Sequence, residues 1–268
     1  MSDFEIDNPT VLSIIRNAFE GLQEARIEVS NKLEIFGTNP SRTIWYYMSV
    51  EPVAPLYSED FKKRGVTVNV PYFREVLKLA RSENLTGFKK VEILVEPDKF
   101  IKFEIEGQKS SLTHVLSHSP KGVKKRPKYL THFDFSSAAG IVIKPPRDYK
   151  LVYDPFNTIR NIQPLFKEDV RPIVVDVKKG FVRFEPYNIS DYSHIVRGMN
   201  SNNFEAKSFM TLSNVQLTSE VISKGISHLE ILVLENNPIK FKYYIDTNET
   251  DYRGVIEYFV VPAVPPSE

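Results

Sequence analysis

The 268-residue sequence contains no cysteine, and that alone excludes disulfides, thiol nucleophiles and cysteine-ligated zinc. It has no apolar run approaching the roughly 20 residues of a membrane-spanning helix. Met1 to Asp7 carries three acids and no basic stretch, against the pattern of a signal peptide, so an intracellular protein without membrane association is expected. Neither charge is in excess: 35 lysines and arginines face 34 aspartates and glutamates. A nucleic-acid partner would therefore have to meet positive charge concentrated locally.

The motifs of catalysis are missing as well. There is no phosphate-cradling glycine loop, no nucleophile elbow and no Asp-x-Asp pair. His114 and His118 stand four apart, but in a strand-like run without a nearby carboxylate, and do not read as metal ligands. His132 and Asp134 alternate with aromatics and read as solvated or partner-facing rather than as acid and base. No enzyme, metal or cofactor is expected.

What the sequence does contain is an echo of itself, the signature of a repeated unit. Val91-Glu92-Ile93-Leu94-Val95 is followed by Ile101-Lys102-Phe103, and Leu229-Glu230-Ile231-Leu232-Val233 by Ile239-Lys240-Phe241, at a constant offset. Apolar and polar residues alternate in each, and the short links Pro97-Asp98 and Asn236-Asn237 make each an antiparallel hairpin. Asn8-Pro9 and Asp154-Pro155 both place a capping oxygen before a proline whose missing N–H is harmless at a helix start. The first predicted helix carries Val11, Ile15, Ala18 and Leu22 on one stripe. The second carries Phe156, Ile159 and Ile162, with Pro164 set to kink or shorten it. Paired strands follow each: Arg26 to Val29 with Leu33 to Phe36, and Ile173 to Val177 with Phe181 to Glu185.

A further helix is expected before each hairpin, over Pro71 to Ser82 and roughly Asn214 to Lys224. Ser213 and Gln216 form a capping-box pattern for the latter, and Gly225 its stop. The order helix, strands, helix, strands thus occurs twice. Between the halves runs a connection rich in cations (Lys121, Lys124, Lys125, Arg126, Lys128) and aromatics, long for a compact domain. The division expected is 1–120, a linker 121–147, and 148–268. Where the linker ends is left open, because Gly140 to Lys144 has the pattern of a strand.

Pro238-Ile239-Lys240-Phe241-Lys242-Tyr243, a turn, and Glu257-Tyr258-Phe259-Val260-Val261-Pro262 resemble the last hairpin of the sliding clamps of the proliferating cell nuclear antigen family. Val68-Asn69-Val70 leading into Phe73 to Ala80 is similar to that family's second helix. Two departures stand out: the linker is longer and more basic, and Pro164 interrupts the third helix. The resemblance implies an α+β fold, two similar domains each with two helices packed on antiparallel sheets. It implies a homotrimeric ring, with a hetero-ring as the variant, holding duplex DNA non-specifically and serving polymerases, other peptide-motif clients and a clamp loader at replicating DNA. The alternatives are a clamp-fold factor in checkpoint signalling or viral transcription, a non-ring DNA-associated protein, or an enzyme sharing the repeat.

Roles follow from the resemblance position by position. Arg74, Lys78 and Arg81 fall at i, i+4 and i+7 on one helical face, and Arg16, Arg160, Lys167 and Lys224 lie on polar faces of the other helices. In a clamp these would face the phosphate backbone. Phe36, Trp45, Tyr129, Leu130, Phe133, Pro238, Val261 and Pro262 match the positions that receive a partner's plug. Leu112 to Ser117 and Tyr192 to Arg197 occupy the places of the strands that pair between subunits, with Leu112, His114, Leu116, Tyr192, His194 and Ile195 at the interface.

Overall fold

The computed structural model describes residues 3–54, 63–79, 87–108, 110–120, 122, 133–144, 172–187, 193–219, 221 and 225–263. Elements are numbered in chain order among these residues. Helix α1 (Pro9–Ala18) begins where the Asn8-Pro9 pair predicts: Asn8 Oδ1 accepts from the Thr10 and Val11 amides at 2.8 and 3.4 Å. Its stripe Val11, Leu12, Ile14, Ile15 and Ala18 is buried, whereas Leu22 is buried beyond the helix end rather than within it. The start at Asp154-Pro155 and the helix with Pro164 lie outside the described residues.

Helix α2 (Val70–Leu79) occupies the second expected span, whose last residues are not described. Helix α3 (Leu212–Ser219) starts earlier than the sequence suggests. Its cap is Thr211, whose hydroxyl accepts from the Asn214 amide at 3.3 Å, and not Ser213. Gly225 is not a left-handed helix stop either, since its φ is not positive. It is glycine because a Cβ there would stand 2.7 Å from both Ile14 Cδ1 and Thr10 Cγ2.

Among the described residues the strands form three antiparallel sheets. One has the order β1-β6-β7-β8 and consists of β1 (Phe4–Ile6), β6 (Phe88–Glu96), β7 (Phe100–Gly107) and β8 (Ser111–Ser117). A second, ordered β12-β11-β10-β14, holds β10 (Ile173–Lys178), β11 (Phe181–Pro186), β12 (His194–Arg197) and β14 (Ala206–Met210). The third has nine strands. From the first half it takes β2 (Glu24–Val29), β3 (Leu33–Thr38), β4 (Ile44–Pro52) and β5 (Arg64–Asn69). From the second it takes β9 (Ala139–Ile143), β13 (Met199–Asn200), β15 (Ile226–Val233), β16 (Ile239–Ile245) and β17 (Tyr252–Val260). The two groups join where β17 pairs with β4, from Tyr252 opposite Pro52 to Val260 opposite Ile44. β9 also settles what Gly140 to Lys144 does, since it pairs with β15 as Ile143 with Leu229 and Ile141 with Ile231.

The echo holds down to the backbone. Asp98 in the β6–β7 turn and Asn236 in the β15–β16 turn both take φ of 52°, a left-handed conformation that Asp and Asn tolerate best among side-chain-bearing residues. The β2–β3 and β10–β11 pairs repeat as well, with Ile27 facing Ile35 as Val175 faces Phe184. After the strands that flank them, α2 begins two residues past Val68 and α3 two residues past Met210. Alternation buries one face of each sheet: Ile27, Ile35, Met48, Ile256, Tyr243, Leu229 and Ile143 form one buried row across seven of the nine strands. At about 1.5–3 kcal/mol for each fully buried aliphatic side chain, such rows dominate the stability of the sheets.

Candidate functional site

Three surfaces carry the residues singled out from the sequence. The first is the exposed side of the helices. Lys78 projects from α2 with its side chain 65% exposed and its ammonium 3.6 Å from Glu75. Arg74, expected on the DNA-facing side, is held by its neighbours. Its Nε donates to the Arg16 carbonyl at 3.0 Å, and its Nη2 is ion-paired with Glu20. It therefore ties α1 to α2, drawn there because Glu20 ends just beyond α1 beside it. Arg16 is half-buried and donates to Asn17 Oδ1 at 3.2 and 3.3 Å. With Glu20 and Glu75 beside them, the described cations Arg16, Arg74 and Lys78 leave this face close to neutral. Arg81, Arg160, Lys167 and Lys224 lie outside the described residues.

The second surface is the outward face of the nine-stranded sheet near the β17–β4 junction. Across it, Thr38, Trp45, Phe259 and Lys240 stand side by side on β3, β4, β17 and β16. The chain arriving at β9 docks here: the Phe133 ring lies 5.5 Å from that of Phe259, and Phe135 meets Phe259 edge-on at 5.8 Å. Lys240 Nζ sits 4.9 Å over the Phe135 ring and 3.6 Å from Glu257. Asp134 is a cap here, accepting from the Ser136 amide and hydroxyl at 2.9 and 2.7 Å, bonds that hold its carboxyl below the usual range. Phe133 stays 38% exposed, as does Val261, while Trp45 and Pro262 are half-buried.

Phe36 shares the outward side of β3 with Thr38 but is only 3% exposed, so it offers little surface of its own. Pro238 is buried too, one step beyond the Ile239–Val260 pair and so level with Val261. Tyr129 and Leu130 lie outside the described residues. Phe259, Phe135 and Lys240 are contributors that the sequence reading did not assign. Parity offered a signal for the first: in the pair Tyr258-Phe259, Tyr258 points inward, edge-on to Tyr46 at 4.9 Å with its hydroxyl donating to the Ala18 carbonyl. Its neighbour must then point out. His118 Nδ1 accepts from the Thr67 amide at 3.2 Å. Among the described residues no cluster of acids and histidines could hold a metal.

The third surface is the pair of sheet edges. β8 ends one sheet and β12 another. On β8, Leu112, His114 and Leu116 face Ile105, Phe103 and Ile101 and share their inward side. Leu116 packs against the core, so it serves the chain's own fold first. Leu112 remains 37% exposed, and Val115 on the outward side 55%. On β12, His194 and Val196 face inward opposite Phe184 and Val182, and Ile195 faces outward, 47% exposed. Burial pushes the His194 imidazole below its ordinary pKa. Tyr192 lies outside the described residues.

No protein-family model and no curated protein matches the chain by sequence. Solved structures match its fold over nearly its whole length. The PCNA2–PCNA3 complex of Sulfolobus tokodaii is matched at TM-score 0.67 and 17% identity, covering 96% of this chain and 98% of the other. PCNA of Thermococcus kodakaraensis gives 0.70 and 14% identity over 97% and 98%. A. fulgidus PCNA, solved with the C-terminal region of FEN-1 bound, gives 0.72 and 16% identity over 98% and 99%. The chain has the α+β fold of the PCNA clamps.

Proposed function

We propose that the chain is a non-enzymatic subunit of a ring-shaped DNA sliding clamp, which encircles duplex DNA and tethers the enzymes that work on it. The observation that carries this reading is the architecture of the β17–β4 junction. Inside the chain one such joint is closed. At β8 and β12 the chain offers the two halves of another, each at the edge of its sheet. β8 follows β6 and β7 as β17 follows β15 and β16, and β12 flanks β11 as β4 flanks β3. A head-to-tail contact between copies completes the open joint, and such a contact generates a closed ring when the rotation per subunit divides the circle. It also removes the exposed edges that would otherwise invite aggregation.

In this ring the helices face the DNA and meet phosphates without reading bases, which permits sliding. The Trp45, Phe133 and Phe259 face, with Val261 and Pro262 beside it, receives an apolar and aromatic plug from a client peptide. The solved A. fulgidus relative has a client segment bound, which supports a peptide-docking role here. A second form of the same reading is a ring shared with a sister clamp chain. The S. tokodaii neighbour is itself a complex of two clamp chains. Light scattering on the purified chain tests the proposal. A particle three times the 30.9 kDa chain supports the homomeric ring, and a trimer only after mixing with a sister chain supports the shared one. A strict monomer under both conditions contradicts both.

A further inference from the structure

The outward face of the second small sheet carries a hollow that none of the three surfaces above accounts for. Strand register sets its floor: Glu185, Val174 and Phe209 stand side by side on β11, β10 and β14, and Arg183, Asp176 and Lys207 form the next row. Val175 and Val177 turn the other way, into the core. The hollow measures about 800 Å³, and the β15–β16 turn walls one side of it through Glu235. That wall is tied down. Glu235 accepts from the Lys207 amide at 2.7 Å, and the Asn236 amide donates to the Lys207 carbonyl at 2.9 Å.

The charges inside leave acid in excess. Asp176 is only 7% exposed, and its carboxylate is met by Arg183 Nη2 at 2.7 Å and by Lys178 at 3.7 Å. Arg183 Nε stands 3.4 Å from Glu185. Both of these cations are thus held at the floor, and at the rim the exposed Glu205 and Glu235 have only Lys207 to offset them among the lining residues. Four carboxylates (Asp176, Glu185, Glu205, Glu235) against three cations (Lys178, Arg183, Lys207) give the hollow a net charge of −1. Its other end is apolar, where the Tyr187 ring meets Phe209 edge-on at 5.7 Å. A long basic side chain suits both ends, because its aliphatic stem lies on apolar surface while its head reaches for carboxylates.

The C-terminal strand leads to this hollow from the Trp45, Phe133 and Phe259 face. Phe259 is four residues from Ala263, whose amide donates to the Phe209 carbonyl at 3.0 Å. Four residues span at most about 14 Å, so a client seated on Phe259 is within a few residues of the hollow. With the Phe209 carbonyl and both backbone groups of Lys207 already taken, strand addition along this edge of β14 is blocked. Recognition here must go through side chains.

We infer that the hollow receives a basic side chain from a client segment that continues past its aromatic plug, over Val261 to Ala263 and onto the outward side of β14. This rests on the client reading above and adds to it a second contact of different chemistry. Peptides built on the C-terminal region of FEN-1, the segment seen bound to the A. fulgidus relative, test it. Each keeps the plug and carries five-residue flanks containing arginine, glutamate or neither. Calorimetry at low salt is expected to show the arginine peptide binding about two- to fivefold tighter than the neutral one, the range of an exposed ion pair. In Glu205→Gln with Glu235→Gln the two should bind alike. Both positions are exposed, and glutamine can still accept from the Lys207 amide, so this variant keeps the fold. Glu75→Gln on α2 should leave the preference intact, which separates the hollow from general attraction, and Phe133→Ala should weaken all three peptides alike. Equal binding of the arginine and neutral peptides to the parent, or an arginine preference that survives the double substitution, overturns the inference and leaves the client reading standing. Tighter binding of the glutamate peptide overturns it as well. If no peptide binds the parent, the client reading and this inference fall together.

Discussion

Leu112→Glu is expected to separate the copies while leaving each one folded. In the single chain Leu112 keeps 37% of its surface exposed, and in the closed joint Ile256, which faces Tyr243 as Leu112 faces Ile105, keeps 1%. Joint formation therefore covers about a third of a leucine, roughly 0.5–1 kcal/mol of the 1.5–3 kcal/mol that full burial provides. Truncation to alanine removes only that and should weaken each joint about two- to fivefold, since 1.4 kcal/mol is a factor of ten. Glutamate does more, because its carboxylate would be sealed in the seam without a cationic partner. An unpaired buried charge costs several kcal/mol, so each joint should weaken by roughly a hundredfold or more. In the isolated chain the same carboxylate sits at an open edge and reaches water. Sedimentation across a concentration series should show the glutamate variant as monomer where the parent is assembled, with nearly the same thermal unfolding. An assembled glutamate variant refutes the seam. A variant that loses its cooperative unfolding transition shows instead that Leu112 belongs to the chain's own core.

Other outcomes follow from the remaining surfaces. Phe133→Ala and Phe259→Ala should each weaken a client peptide by about 1 kcal/mol or more in calorimetry. Only Phe259→Ala should also lower the melting temperature, because Phe133 is already 38% exposed and Phe259 is 4% exposed. Arg74→Ala should reduce stability by about 1–3 kcal/mol in urea unfolding, through loss of a charged hydrogen-bonded tie. Lys78→Ala should leave stability unchanged and lower the salt slope of DNA binding by about 0.9 if it contacts one phosphate in each bound subunit. A stable Arg74→Ala variant would contradict that role for the tie. Assembly should weaken on acidification: burial already holds His194 below its ordinary pKa, and the joint covers it further. The separated chain then binds the proton more readily, so association is full at neutral pH and is lost only as the pH falls below the ordinary imidazole range. In His194→Gln, sedimentation at graded pH should show that dependence much reduced.

Much of the fold is legible because the sequence repeats itself where periodicity is strongest. The two hairpins at Val91 and Leu229 announce their strands by alternation, and Asn8-Pro9 announces α1 by its cap. Shorter signals failed where a local rule met a tertiary demand. Ser213 looks like a cap, but the chain enters α3 from β14, so the first free hydroxyl at the helix mouth is that of Thr211. Gly225 looks like a helix stop, but α1 needs the space that a side chain would fill. The sites divide the same way. Edge strands are visible as short alternating runs, yet which of their residues face outward depends on pairing, so Leu116 and Ile195 look alike in sequence and differ in role. The cationic stripe of α2 is legible as spacing, while the diversion of Arg74 to Glu20 depends on how α1 and α2 meet. Phe259 is assigned only once Tyr258 is known to point inward.

Whether this chain encircles DNA is tested most directly with the ring locked shut. A Thr113→Cys, Ser193→Cys variant, with one thiol on β8 and one beside β12, is oxidised in the presence of circular duplex DNA, washed at high salt, and the DNA then cut once. Protein that stays on the circle through the wash and leaves when the circle is linearised is held by topology, and that is the result expected of a clamp. Protein that washes off the intact circle, or remains on the cut DNA as firmly as on the circle, contradicts it.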